Sequence, residues 1–238
     1  MSGIRARIGF TSVAFVTETF PKVFYKVVPD GVVLCLLTLQ HLGFSPEAMA
    51  RAHDEIMAHA RAFARARCDV IFLGGAPTNL AHGWDHLRRV LGELEAEFSV
   101  PVTSNATAQN KALTALGAKK VGVVHPYKGM MGLHDEQIRA AGMELAGYLG
   151  GGVPPEEYHL IPAQQAFDWG VTLKREHPDI DMIFYVCPHW NVMDAIEPVE
   201  RTLGVNVIGA GQAVIWEGLR LAGVNDRIAG YGRLLMEH

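Results

Sequence analysis

Two stretches of this chain superimpose without a gap. "DVIFLGGAP" begins at Asp69 and "DMIFYVCPH" begins at Asp181. Each is a short apolar run of the kind a buried parallel strand needs, and each is followed by a helix-period pattern. After the first comes "WDHLRRVLGELEAEF", with Leu87, Val90, Leu91, Leu94 and Phe98 on one face; after the second comes "VMDAIEPVERTLG". Both then pass into another strand, "VPVTSN" or "VNVIGAG", and another helix, "AQNKALTALG" or "AVIWEGLRLAG". The openings also match, "RIGFTSVA" from Arg7 with "KVGVVHPY" from Lys120. Internal repetition at this scale limits the fold more than any single motif. It predicts two copies of a βαβαβα unit, residues 5–117 and 118–223, with a tail over 224–238 that is expected, with the last helix, to pack on the first half.

Strands alternating with helices imply an α/β protein: two pseudo-symmetric, doubly wound, parallel-sheet (flavodoxin-like) halves. The active cleft is expected between them, at the carboxyl ends of the strands. "SPEAMARAHDEIMAHARAFARA" reads as a further helix, capped by Ser45, with Pro46 in its first turn and Met49, Ile56, Ala60 and Phe63 as its apolar stripe. A chain of 238 residues, 49% of them hydrophobic, buries a full core without staples.

The repeat register picks out one thiol. Counting six residues on from each leading aspartate sets Cys187 against Gly75, so a cysteine at one strand end is matched by a glycine at the other. Cys35, inside an apolar strand, and Cys68, at a strand start, fit the ordinary role of buried, inert cysteine. Three cysteines cannot all pair and have no C-x-x-C spacing, so reduced thiols and a cytoplasmic location are expected. Cys187 sits where a strand hands over to a helix, a place where backbone N–H groups converge. Its two possible tasks are nucleophile and proton donor. An ordinary thiol is protonated at neutral pH and serves as an acid without tuning, whereas a nucleophile wants a base. His189, two residues on, is a partner for the thiol, a pocket-lining donor or a surface residue.

Other candidates follow strand ends. "GGAPTNLAHG", Gly74 to Gly83, is glycine-rich but is neither G-x-G-x-x-G nor a P-loop, so its glycines serve backbone geometry or close approach of a ligand. Gly75, Ala76 and Thr78 in that loop, with Ser12 at the end of the first strand, are candidate substrate contacts. Tyr127, after "VGVVHP", either donates to a developing oxyanion or packs. Thr107, in "NATAQN", caps its helix or touches an anion. Eleven histidines include no H-E-x-x-H and no Cys/His cluster, so no metal and no cofactor are expected. A net charge of −4 with 21 scattered Lys and Arg argues against nucleic acid. The longest apolar run, "GVVLCLLTL", is far short of the ~20 residues that span a bilayer, so no membrane partner is expected and the start of the chain reads as a strand. Oligomeric state stays open.

A family resemblance spans nearly all of the chain and is strongest at its end. "CPHWNVMDAIEPVERTLGVNVIGAGQAVIWEGLRLAGV", the final "GYGRLL" and "TAQNKALTALGAKKVGVVHPY" resemble the aspartate/glutamate racemase superfamily, in the branch of arylmalonate decarboxylase and maleate cis-trans isomerase. In that superfamily two opposed thiols usually shuttle a proton across a planar carbanion without a cofactor. Carried over, the second thiol is Cys187 and the first falls at Gly75. The decarboxylases likewise have glycine there. The resemblance therefore implies a small-molecule carboxylate partner and loss of CO2 from a 2-substituted malonate, with Tyr127 matching the family's tyrosine donor and Cys187 protonating the enediolate. Departures stand beside it. Ala76-Pro77 replaces Thr-Ser, and Pro188 replaces Gly, removing donors from the expected oxyanion hole. Phe15-Val16 replaces the isomerases' Ser-Asn.

The leading expectation is thus a cofactor-independent decarboxylase. Beside it stand a one-thiol racemase or isomerase with a histidine such as His82 or His125 as second acid, a Cys-His hydrolase, and a non-catalytic small-acid binder. Phe15, Leu36, Thr38, Trp190 and "GGGVPPEEYHL" are candidates for a side pocket.

Overall fold

A computed structural model describes residues 3–13, 16–40, 45–117, 119–128 and 131–238. In chain order the elements are β1 (Ala6–Ser12), α1 (Thr19–Val27), β2 (Val32–Thr38), α2 (Pro46–Arg65), β3 (Val70–Leu73), α3 (Ala76–Asn79), α4 (Gly83–Phe98), β4 (Val102–Ser104), α5 (Asn105–Ala115), β5 (Lys120–His125), α6 (Met131–Ala140), β6 (Glu144–Gly150), α7 (Ala163–Glu176), β7 (Met182–Tyr185), α8 (Met193–Leu203), β8 (Asn206–Gly209), α9 (Ala210–Leu221) and α10 (Arg233–Glu237). They build two four-stranded sheets of the same order, β2-β1-β3-β4 and β6-β5-β7-β8. Every pairing in both is parallel.

This is the two-half α/β fold read from the repeat, with one correction. Each half holds four strands where the βαβαβα unit supplies three. The extra strands, β2 and β6, are the outer neighbours of β1 and β5. β2 is the apolar run around Cys35. β6, "ELAGYLG", has no such run, and Gly147 in its middle hides it further.

Hydrogen bonds repeat with the sequence. Arg7 N donates to Asp69 Oδ2 at 2.7 Å, and Lys120 N donates to Asp181 Oδ1 at 2.9 Å. The same aspartates return a backbone N–H to Arg7 O and to Lys120 O. Each leading aspartate therefore clasps the start of the strand beside it. Val102 N donates to Glu95 Oε1 in the first half, and Val207 N donates to Glu200 Oε1 in the second.

The chain forms two compact units that exchange segments. The first gathers β1 to β4 and also takes Glu217–Asp226, the end of α9 and beyond. Its core packs Ile56, Ala60 and Phe63 of α2 and Leu87, Leu91 and Leu94 of α4 against Ile71 and Leu73, with Val90 and Phe98 half-buried at its edge. Ser45 caps α2 as expected, its Oγ accepting from Ala48 N at 3.2 Å. The second unit takes Glu18–Val27, Gln109–Trp216 and Arg227–His238. Its core packs Leu113, Val121, Val123, Ile138, Met182, Phe184, Ile208 and Leu234. Among the described residues no helix is long and apolar enough to cross a membrane.

Candidate active site

In the second unit the site grows from the end of β7. All four residues of that strand are buried, and Tyr185 is pinned by its hydroxyl, which donates to Ala166 O at 2.8 Å. The chain then turns sharply. Cys187 has φ 75°, in the left-handed region that an L-residue avoids. Trp190 closes the turn: its indole N–H donates to Val186 O at 2.7 Å, and its ring meets Tyr185 edge-on. Trp190 is thus an anchor of the loop, with 2% of its surface exposed, more than a wall for a substrate.

The thiol lies among phenols and imidazoles. Burial pushes Cys187 up to about 12, with the backbone N–H of His189 at the sulfur pulling the other way. Tyr127 is raised well above its ordinary value by burial, with the nearby Cys187, Tyr148 and Tyr158 adding to the rise. Tyr158 is raised by burial and by Cys187. His189 is lowered to about 4 by burial, against an opposing pull from Glu18. His125 and His134 are each lowered to about 4 by burial. At neutral pH every one of these groups is uncharged. A nucleophilic thiolate paired with an imidazolium requires both shifts in the opposite direction. The arrangement favours a resting thiol that keeps its proton over a resting thiolate.

Tyr127 follows the end of β5, where its ring stacks on His125 at 4.4 Å and its hydroxyl lies 2.8 Å from His134 Nε2. His125 is 1% exposed, so this imidazole is enclosed and does not line an open pocket.

The first unit carries the equivalent turn. Gly75 has φ 81°, the counterpart of the Cys187 angle, so the register read from the sequence holds in the backbone. A Cβ here would lie 2.7 Å from Val13 Cγ1 and 3.6 Å from Thr78 Oγ1, so Gly75 and Thr78 are neighbours. Gly75 does not open a loop. It begins the one-turn helix α3, with Ala76 and Pro77 in its first turn, where proline's missing N–H costs no helical hydrogen bond. Asn79, which the sequence did not single out, holds this turn by donating to Leu73 O and Gly74 O, both at 2.9 Å.

Ser12 ends β1 and is fully buried. Thr107 does not cap α5. That role falls to Ser104, whose Oγ accepts from Thr107 N at 3.1 Å and bonds the Thr107 hydroxyl at 2.9 Å. Phe15 lies outside the described residues; its neighbour Val16 is 82% exposed. His82 precedes α4 on the surface of the first unit. No group of three or more His, Cys, Asp or Glu that could hold a metal occurs among the described residues.

Tyr158 lies in the "GGGVPPEEYHL" stretch read as a side-pocket candidate, but the sequence passed over His134 and Gln137. Their one legible signal was spacing: His134 and Gln137 stand three apart, beside Ile138, on a helix following a strand that ends at the site.

A model of the arylmalonate decarboxylase family matches residues 29–235. The chain belongs to the arylmalonate decarboxylase family. It is 27% identical over 200 residues to the arylmalonate decarboxylase of Bordetella bronchiseptica, covering 81% of this chain and 82% of that one. Unliganded arylmalonate decarboxylase has the same fold, with a TM-score of 0.84 at 24% identity, across 98% of this chain and 100% of that one. The fold also matches a cysteine-to-serine variant of the Nocardia farcinica maleate cis-trans isomerase, which holds a covalently bound succinylcysteine intermediate. That match has a TM-score of 0.81 at 22% identity, over 98% of this chain and 99% of the isomerase. These relatives are enzymes, and the likeness to the isomerase is one of fold.

Proposed function

We propose that the chain is a cofactor-independent decarboxylase of a small activated dicarboxylate of the 2-substituted malonate type. One observation carries the reading: of two equivalent left-handed turns, one bears a thiol and the other is glycine. Only one of the paired positions can supply a proton.

In the scheme, the bond between the α-carbon and one carboxylate breaks, and CO2 leaves. The electron pair stays behind as an enediolate, delocalised onto the remaining carboxylate. An uncharged, water-poor surround favours this loss of charge density from the departing group. Tyr127 donates to an enediolate oxygen, with the Cys187 N–H and the His189 ring as further donors in place of those that Pro77 and Pro188 cannot supply. The Cys187 S–H then gives its proton to the α-carbon, and the thiolate regains one from water. A thiol pushed up to about 12 is the protonated form this step needs.

The test is CO2 release from phenylmalonate by wild type and Cys187→Ala. Removing the acid should slow release roughly a hundredfold or more. Equal rates in the two proteins contradict the reading. Racemisation or cis-trans isomerisation with one thiol replaced is the second reading, supported by the isomerases of like fold. Deuterium exchange at the substrate α-carbon with no loss of mass would favour it.

A further inference from the structure

Behind Tyr127 runs a series of buried polar side chains that the decarboxylation scheme leaves unused. Tyr127 Oη lies 2.8 Å from His134 Nε2. One turn further along α6, Gln137 Nε2 donates to Gln109 Oε1 at 2.8 Å. His134, Gln137 and Gln109 are 3%, 0% and 4% exposed, beside a core of Leu113, Val123 and Ile138. Burying polar groups there is costly unless their hydrogen bonds are met. Two atoms of the series have no such partner among the described residues, His134 Nδ1 and Gln137 Oε1. They belong to adjacent groups, since the Gln137 side chain acts directly on the His134 ring.

A neutral imidazole carries one N–H and a phenol carries one O–H, which restricts what the series can do. With the imidazole proton on Nδ1, His134 serves Gln137 Oε1. Tyr127 must then point its own proton inward at Nε2, and only lone pairs face the thiol. With the proton on Nε2, His134 donates to Tyr127 Oη. The phenol proton is then free to turn outward. Only this second arrangement lets Tyr127 donate to an oxyanion.

We propose that His134 is a positioning residue for Tyr127: its Nε2–H tautomer holds the phenol oxygen and turns the phenol proton toward the enediolate, while the Gln137 amide, turned so that its N–H meets His134 Nδ1 and its oxygen accepts from the Gln109 amide, holds the ring. This rests on the decarboxylase reading above and adds to it the group that directs its oxyanion donor. A histidine that acts in this way acts through Tyr127 alone. Its loss therefore has no effect once the phenol hydroxyl is gone.

The experiment is a double-mutant cycle on phenylmalonate decarboxylation with wild type, Tyr127→Phe, His134→Phe and the double variant. We expect His134→Phe to lower kcat by about 10- to 100-fold with KM nearly unchanged, the range for misdirecting a catalytic donor. In the Tyr127→Phe background the same change should cost less than about twofold, the two substitutions being fully coupled. His134→Gln, whose amide can still donate to Tyr127, should recover most of the loss. If His134→Phe does not fold, Gln137→Leu, which removes the support of the His134 ring, takes its place in the cycle. Nitrogen NMR of the His134 ring with phenylmalonate bound should show the neutral Nε2–H tautomer. The proposal is overturned by equal losses in both backgrounds, by no loss in the wild-type background, or by a bound-state ring protonated on Nδ1 alone. Absence of CO2 release by the wild-type protein would instead overturn the decarboxylase reading, and this inference with it.

Discussion

Cys187 holds a backbone angle that its partner in the repeat meets with glycine. A side chain in the left-handed region costs about 1–2 kcal/mol, and such strain persists where the surroundings hold it in place. Here Trp190 and the buried strand β7 do so. The ordinary order of substitutions should therefore invert at this position. Cys187→Gly should unfold at higher denaturant than Cys187→Ala, by about 1 kcal/mol, although glycine fills less space and loosens the unfolded chain more. Urea denaturation of the two variants checks this, and a less stable glycine variant would show that the turn is unstrained. At this scale the sequence made Cys187 and Gly75 legible as a pair, because register alone matches them. It did not show the shared angle, which depends on how the following loop is tied back. Nor did it show that Ser104 rather than Thr107 caps α5, since both precede or begin the helix and differ only in backbone conformation.

Elements in the two halves are joined by equivalent carboxylates of unequal burial. Glu200, at 9% exposure, accepts from Val207 N with one oxygen and from Arg233 N with the other, tying α8 to β8 and to the start of α10. Glu95 is exposed and accepts from Val102 N alone among the bonds described. Removing a buried acceptor strands its donors, whereas water replaces an exposed one. Glu200→Ala should accordingly cost roughly 2–3 kcal/mol, and Glu95→Ala about 0.5–1 kcal/mol. Chemical denaturation of both variants tests the difference; equal losses would mean that the link to α10 contributes nothing. The long amphipathic helices α2 and α4 were readable because their apolar stripes are wide. α1 was not read, though Phe20, Phe24 and Val27 recur at helical spacing and are its buried residues. Its nine residues carry Pro21 near the start, which reads equally well as a turn. α3 was taken for a loop because two glycines and a proline outweigh one helical turn in any propensity argument.

For the whole molecule, duplication decided the fold before any site was considered: two sheets of one order, two aspartate clasps and two left-handed turns are the same solution used twice. α5 and α9 each begin in one compact unit and end in the other with no break in their helical pattern. The asymmetry between the copies is what the proposed decarboxylation rests on. In the proposed reaction the copy with the thiol supplies the proton, from Cys187 near Tyr127, and the copy with glycine supplies none. Turnover of 2-methyl-2-phenylmalonate in heavy water reads this directly through the configuration and deuterium content of the 2-phenylpropionate formed. The account predicts one deuterium at the α-carbon and a single enantiomer in large excess, with the product nearly lost in Cys187→Ala. A racemic product from the wild-type protein, or the same enantiomer at the same rate from Cys187→Ala, would contradict it.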